Sequence, residues 1–260
     1  MRMVLRSRVL GRMAFGAVVA VGLLASAPAR ALDPETCAVP AYLLTSESTL
    51  SHVAAAVKAR QPLDITVVGS GSSSLAGPDG KGMAYPARLE AALRDKLPGI
   101  EVNVALALRP KRTAAEVAEE LGKLEGKPAL VIWQTGTTDA VRSVDPDDFR
   151  AGVEDGVAAL QKLNADVILM NLQYSPRMET MLSVATYNDT MRVVAQERNV
   201  PLFDRFAIMR HWSEAGDFDL FGATHGLGMA KRVHDCIGRA LSKLVIEAAH
   251  INPAELGLQR

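Results

Sequence analysis

The sequence is short of the features that settle function quickly. Its 260 residues carry 29 basic and 29 acidic side chains, a formal net charge of zero. Nucleic-acid binding draws on clustered Lys and Arg, so the pairs Lys111-Arg112 and Lys231-Arg232 read as solvated surface and no nucleic-acid partner is expected. Of the five histidines, none has a ligand spacing such as His-Glu-x-x-His, which argues against a metal centre. There is no internal repeat and no low-complexity tract. Beyond the N-terminal segment no apolar run approaches the roughly 20 residues that a membrane span needs.

What is present begins with a leader. Arg2, Arg6, Arg8 and Arg12 form a basic stretch, 13–25 is apolar, and Ala29-Arg30-Ala31 has the small-x-small form of a cleavage site. A secretory signal peptide over 1–31 is expected, with a periplasmic or secreted mature chain starting near Leu32 and no membrane span after cleavage. The leader holds five arginines and no acid, so the remainder has 24 basic against 29 acidic residues and is mildly acidic. In an exported chain the even pair Cys37 and Cys236 permits a disulfide tying the N-terminal segment to the last helix.

The rest divides into a lead-in and first helix over 32–62, one α/β domain over 63–249, and a tail over 250–260. Apolar periodicity predicts helices over 46–60, 86–97, 147–163, 181–198, 206–215 and 231–249. Thr113 and Glu116 have capping-box spacing, which starts a further helix with Val117, Leu121 and Leu124 on its buried stripe. Short β-branched, apolar runs predict strands at 63–69, 100–108, 129–133, 166–170 and 200–203. Strands alternating with helices predict a single-domain, three-layer α/β/α fold around a five-stranded parallel sheet with right-handed crossovers.

In such a sheet ligands bind beyond the carboxyl ends of the strands. The first strand runs straight into Gly69-Ser70-Gly71-Ser72-Ser73-Ser74, a serine-rich turn suited to a nucleophile or an anion cradle. Gln134-Thr135-Gly136-Thr137-Thr138-Asp139 follows the third strand, and Asn171 to Pro176 the fourth. The segment from Asp217 to Gly226 contains Asp219 and His225. A dinucleotide loop is a poor fit, because Ser74 stands where the third glycine belongs and no helix follows at once.

The set resembles the SGNH (GDSL-like) hydrolases. Gly71-Ser72-Ser73-Ser74-Leu75-Ala76-Gly77 occupies the frame of their Gly-Asp-Ser-x-x-x-Gly block. Gly136-Thr137-Thr138-Asp139 matches Gly-x-Asn-Asp, and Gly222-Ala223-Thr224-His225 matches Asp-x-x-His. Four departures stand out. Ser72 replaces the first aspartate, Thr138 the oxyanion-binding asparagine, and Gly222 the orienting aspartate, while 108–112 lacks the second-block glycine.

The resemblance implies ester hydrolysis without a cofactor, acting on a small-molecule or polysaccharide acyl ester. Ser73 would be the nucleophile and His225 its base. Asp219 would stand in as orienter, and Gly71, Gly136 and Thr138 would surround the oxyanion and substrate. The alternative is a binding or assembly module of the cell envelope that uses this scaffold without turnover.

Overall fold

In a computed structural model the described residues are 37–220 and 226–252. The expected signal peptide, His225 and most of the C-terminal tail lie outside them. Five strands form one parallel sheet, β1 (Leu63–Gly69), β2 (Val102–Leu108), β3 (Leu130–Gln134), β4 (Asp166–Met170) and β5 (Leu202–Phe203), in the order β2-β1-β3-β4-β5. Every residue of β3 and β4 is buried, so both faces of the sheet centre are covered.

The helices are α1 (Ser51–Lys58), α2 (Gly80–Met83), α3 (Tyr85–Lys96), α4 (Ala114–Leu121), α5 (Thr137–Arg142), α6 (Pro146–Gln161), α7 (Pro176–Met181), α8 (Val184–Glu197), α9 (Arg205–Glu214) and α10 (Gly226–Ala248). They pack in two groups, α3 against α10, and α4, α6 and α8 in a row. Right-handed crossovers put these groups on opposite faces. On the second face α6 lies close to β3, where a Cβ at Gly156 would fall 2.2 Å from the Trp133 ring.

Several boundaries differ from the sequence reading for local reasons. The first helix starts at Ser51 rather than 46, because the Ser46 hydroxyl accepts the Ser48 N–H at 3.1 Å and holds a turn instead. The helix expected over 181–198 is two, since Leu182 is extended (φ −130°, ψ 147°) and packs its side chain toward the core. The capping box forms in both directions, with Glu116 N–H on Thr113 Oγ1 at 3.3 Å and Thr113 N–H on Glu116 Oε2 at 2.8 Å. Cys37 and Cys236 are joined in a disulfide with their Cα atoms 5.4 Å apart. Among the described residues no helix is long and apolar enough to cross a membrane.

The chain leaves β1 toward β2 on one side and leaves β3 toward β4 on the other. The carboxyl ends of β1 and β3 therefore flank the topological switch point, where such sheets open a crevice.

Candidate active site

Beyond β1 the chain winds into a 3₁₀ turn over Gly71–Ser73, closed by the Ser73 N–H on Ser70 O at 3.0 Å. The turn folds Ser73 back over the strand end. A Cβ at Gly69 would lie 2.0 Å from Ser73 Oγ, so only glycine admits this packing. Ser73 is fully buried. Its hydroxyl donates to Gln134 Oε1 at 2.5 Å and lies 3.0 Å from Tyr85 Oη, which itself donates to Gln134 Oε1 at 3.1 Å.

The other end of the same amide serves the other serines. Gln134 Nε2 donates to Ser72 Oγ at 2.7 Å and to Ser70 Oγ at 3.2 Å. One side chain at the end of β3 thus organises three serines and a phenol. Burial raises the Tyr85 pKa, keeping the phenol protonated as a donor.

Arg205, the first residue of α9, is 1% exposed. Its Nη1 donates to Ser72 Oγ at 3.3 Å, its Nη2 to Gln173 Oε1 at 3.1 Å, and its guanidinium sits 5.7 Å from the Tyr85 ring centroid. Burial brings its pKa down to about 10, which leaves it charged at neutral pH. His234 on α10 is also buried. Its Nδ1 accepts the Tyr85 N–H at 3.0 Å, which places the ring proton on Nε2. Burial first, and then the charge of Arg205, hold His234 down to about 3, so the imidazole is neutral.

Three of the expected site residues fall into two neighbouring spaces, and Ser73 and Gly71 line neither. Gly136 (φ 95°) and the half-buried Thr138 line a crevice over β1 and β3 together with Ser70, Gln134, Arg109 and Arg112. Asp219 lines a cavity of about 350 Å³ with Gln173, Arg205 and His234. Hydrogen bonds from Gln134 through Ser72 to Arg205 connect the two. Gly71 is exposed, and nothing crowds the place a Cβ would take. Asp139 is buried and accepts the Ala114 N–H at 2.9 Å, a helix-starting contact for α4, and burial pushes its carboxyl up.

Among the described residues no imidazole or carboxylate hydrogen-bonds Ser73. The Ser73 N–H closes the turn on Ser70 O. His225 lies outside the described residues. Tyr85, Gln134, Gln173 and Arg205 escape the sequence reading. Gln134 and Gln173 carry a signal, since each stands at or just past a strand's carboxyl end. No group of three or more His, Cys, Asp or Glu that could hold a metal occurs among the described residues.

A parallel five-stranded sheet with a serine turn at its switch point defines the class as an SGNH-type α/β fold. The chain belongs to the non-GDSL lipase-like family, whose model matches residues 36–251. Solved structures share the architecture. TesA is 23% identical with a TM-score of 0.56, and the match covers 70% of this chain and 99% of TesA. An acetylxylan esterase from Geobacillus stearothermophilus, in a catalytic-mutant form, is 17% identical with a TM-score of 0.58, covering 70% of this chain and 93% of that one. No curated protein matches the sequence.

Proposed function

We propose that the chain is an exported ester hydrolase whose nucleophile is Ser73, acting on a small-molecule or polysaccharide acyl ester. The observation that carries this reading is the position of the serine turn. It sits at the carboxyl end of β1, beside the end of β3, and is locked by Gln134. In the proposed reaction Ser73 Oγ attacks the acyl carbon while His225 takes its proton, and water then releases the acyl group. Leu220 and Gly226, the described residues on either side of the segment that holds His225, both line the cavity of Arg205 and His234. Asp219, in the same lining, is the proposed orienter, and the Thr138 hydroxyl the proposed oxyanion donor. The Cys37–Cys236 disulfide supports export into an oxidising compartment.

A second reading, a binding module without turnover, is favoured by the state of Ser73 itself. The residue is fully buried, its proton goes to a neutral amide, and its N–H is committed to Ser70 O. The two readings separate on purified mature protein treated with short-chain nitrophenyl esters and a serine-directed fluorophosphonate. Hydrolysis and labelling that vanish in Ser73→Ala support the hydrolase. Labelling that survives Ser73→Ala but is lost in Ser72→Ala moves the nucleophile by one residue. A folded wild-type protein that neither labels nor hydrolyses establishes the binding module.

A further inference from the structure

A groove of about 600 Å³ lies between α7, α8 and α9 and shares no lining residue with the two spaces at the serine turn. Val184 and Phe206 in its lining are buried and apolar. Asn188 stands one helical turn from Val184 and one from Arg192 on α8, so the three share a face, and all line the groove. Asn188 is 2% exposed, yet its Oδ1 meets no donor among the described residues. Buried polar atoms are ordinarily bonded, so an orphaned acceptor in a groove wall calls for a donor from outside.

The charges of the lining are already matched. Arg192 is held by Asp204 at 3.0 and 2.9 Å and also meets Asp189. Arg210 lies 3.7 Å from Glu179 and 3.6 Å from Glu214. Within the lining, Glu179 and Asp189 balance Arg192 and Arg210.

From this pattern we infer that the groove is a subsite for a neutral oligosaccharide. A ligand with net charge would have to displace an existing ion pair, whereas a neutral one leaves the pairs in place. A hydroxyl both donates and accepts, so one sugar ring can donate to Asn188 Oδ1 and to a carboxylate while accepting from Arg192. Asp204 fixes the Arg192 guanidinium beforehand, which lowers the ordering cost of binding. Val184 and Phe206 suit the C–H face of a ring, and the volume lies in the range of small-molecule sites. Binding here does not rest on turnover at Ser73.

The test is thermal unfolding of the disulfide-intact mature protein with neutral oligosaccharides of xylose, glucose, mannose or N-acetylglucosamine. Free glucose at equal mass concentration corrects for the general stabilisation that excluded sugars give. At a tenfold excess over its Kd, at least one oligosaccharide should raise Tm by roughly 3–6 °C beyond glucose. Asn188→Leu removes the acceptor and should lose most of that rise. Ala185→Trp fills the groove from an exposed position on α8, and it should lose the rise even if Asn188→Leu fails to fold. No rise beyond glucose with any of the sugars, or an equal rise in either variant, overturns the subsite. An equal rise with oligogalacturonate overturns the neutral assignment, and a rise with an uncharged alanine peptide alone overturns the carbohydrate one. Hydrolysis of nitrophenyl esters is read separately, so failure of the subsite and failure of the hydrolase reading are distinguishable.

Discussion

Two arginine-lined clefts open at the carboxyl edge of this sheet, and they are finished in opposite ways. In the crevice over β1 and β3, Arg109 meets Glu120 at 2.6 Å, and Arg112 meets Glu120 at 3.1 Å and Glu116 at 3.4 Å. Those arginines are about a third exposed, and α4 supplies both acids. Arg205, a short distance along the same edge, is buried, and its hydrogen-bond partners among the described residues are neutral. The difference teaches where a charged ligand has something to gain. A solvated, already paired cation offers an incoming anion little, because water screens it and the glutamates compete. A desolvated cation with open hydrogen-bonding capacity offers more.

The contrast depends on the neutral network under Arg205, so its largest test is Gln134→Leu. That change removes both amide ends at once and strips partners from Ser70, Ser72, Ser73 and Tyr85. With each unsatisfied buried group costing about 1–3 kcal/mol, urea unfolding should report a loss of at least about 3 kcal/mol. A loss under about 1 kcal/mol would mean that the serine turn does not depend on Gln134.

The next effect is a pH slope. His234 sits at about 3 in the fold, below its ordinary value. The unfolded chain therefore binds a proton first on acidification, and stability falls from about pH 6.5 down toward about 3, by up to about 1.4 kcal/mol per pH unit. Asp139 and Asp166 act with the opposite sign, because burial raises their pKa values and the folded state takes their protons first. The difference between wild type and His234→Gln isolates the histidine. The variant should lose stability less steeply below pH 6.5, and equal slopes would show that His234 is not held neutral.

The smallest effect belongs to the other cleft. Glu116→Gln with Glu120→Gln should barely move Tm at moderate salt, while the dependence of Tm on added salt shrinks. A large drop in Tm would erase the distinction between the two clefts.

The strands were legible because β-branched runs such as 63–69 and 166–170 are too short for a helix and are bounded by turn-forming residues. The Thr113–Glu116 box was legible because both partners lie within four residues. The serine turn could be placed, since a strand end is a position that sequence marks. Its bonding could not. Gln134 reaches Ser72 and Ser73 across more than sixty residues, and only because β3 lies next to β1 with β2 pushed to the edge. An arginine opening a helix reads as surface, and nothing local to Arg205 says that α9 begins inside the molecule. His234 escaped for a similar reason. The buried stripe of α10 is wide, and one polar residue inside it resembles one at its border.

The disulfide between Cys37 and Cys236 spans 199 positions of sequence, and all five strands lie between those cysteines. Mechanically, the sheet therefore hangs inside a closed covalent ring that the chain enters and leaves at one point. Tension applied between the two chain ends would pass through the sulfur bridge and leave the hydrogen bonds between strands unloaded. Pulling from the termini would extend only the residues outside the ring until that bond is reduced.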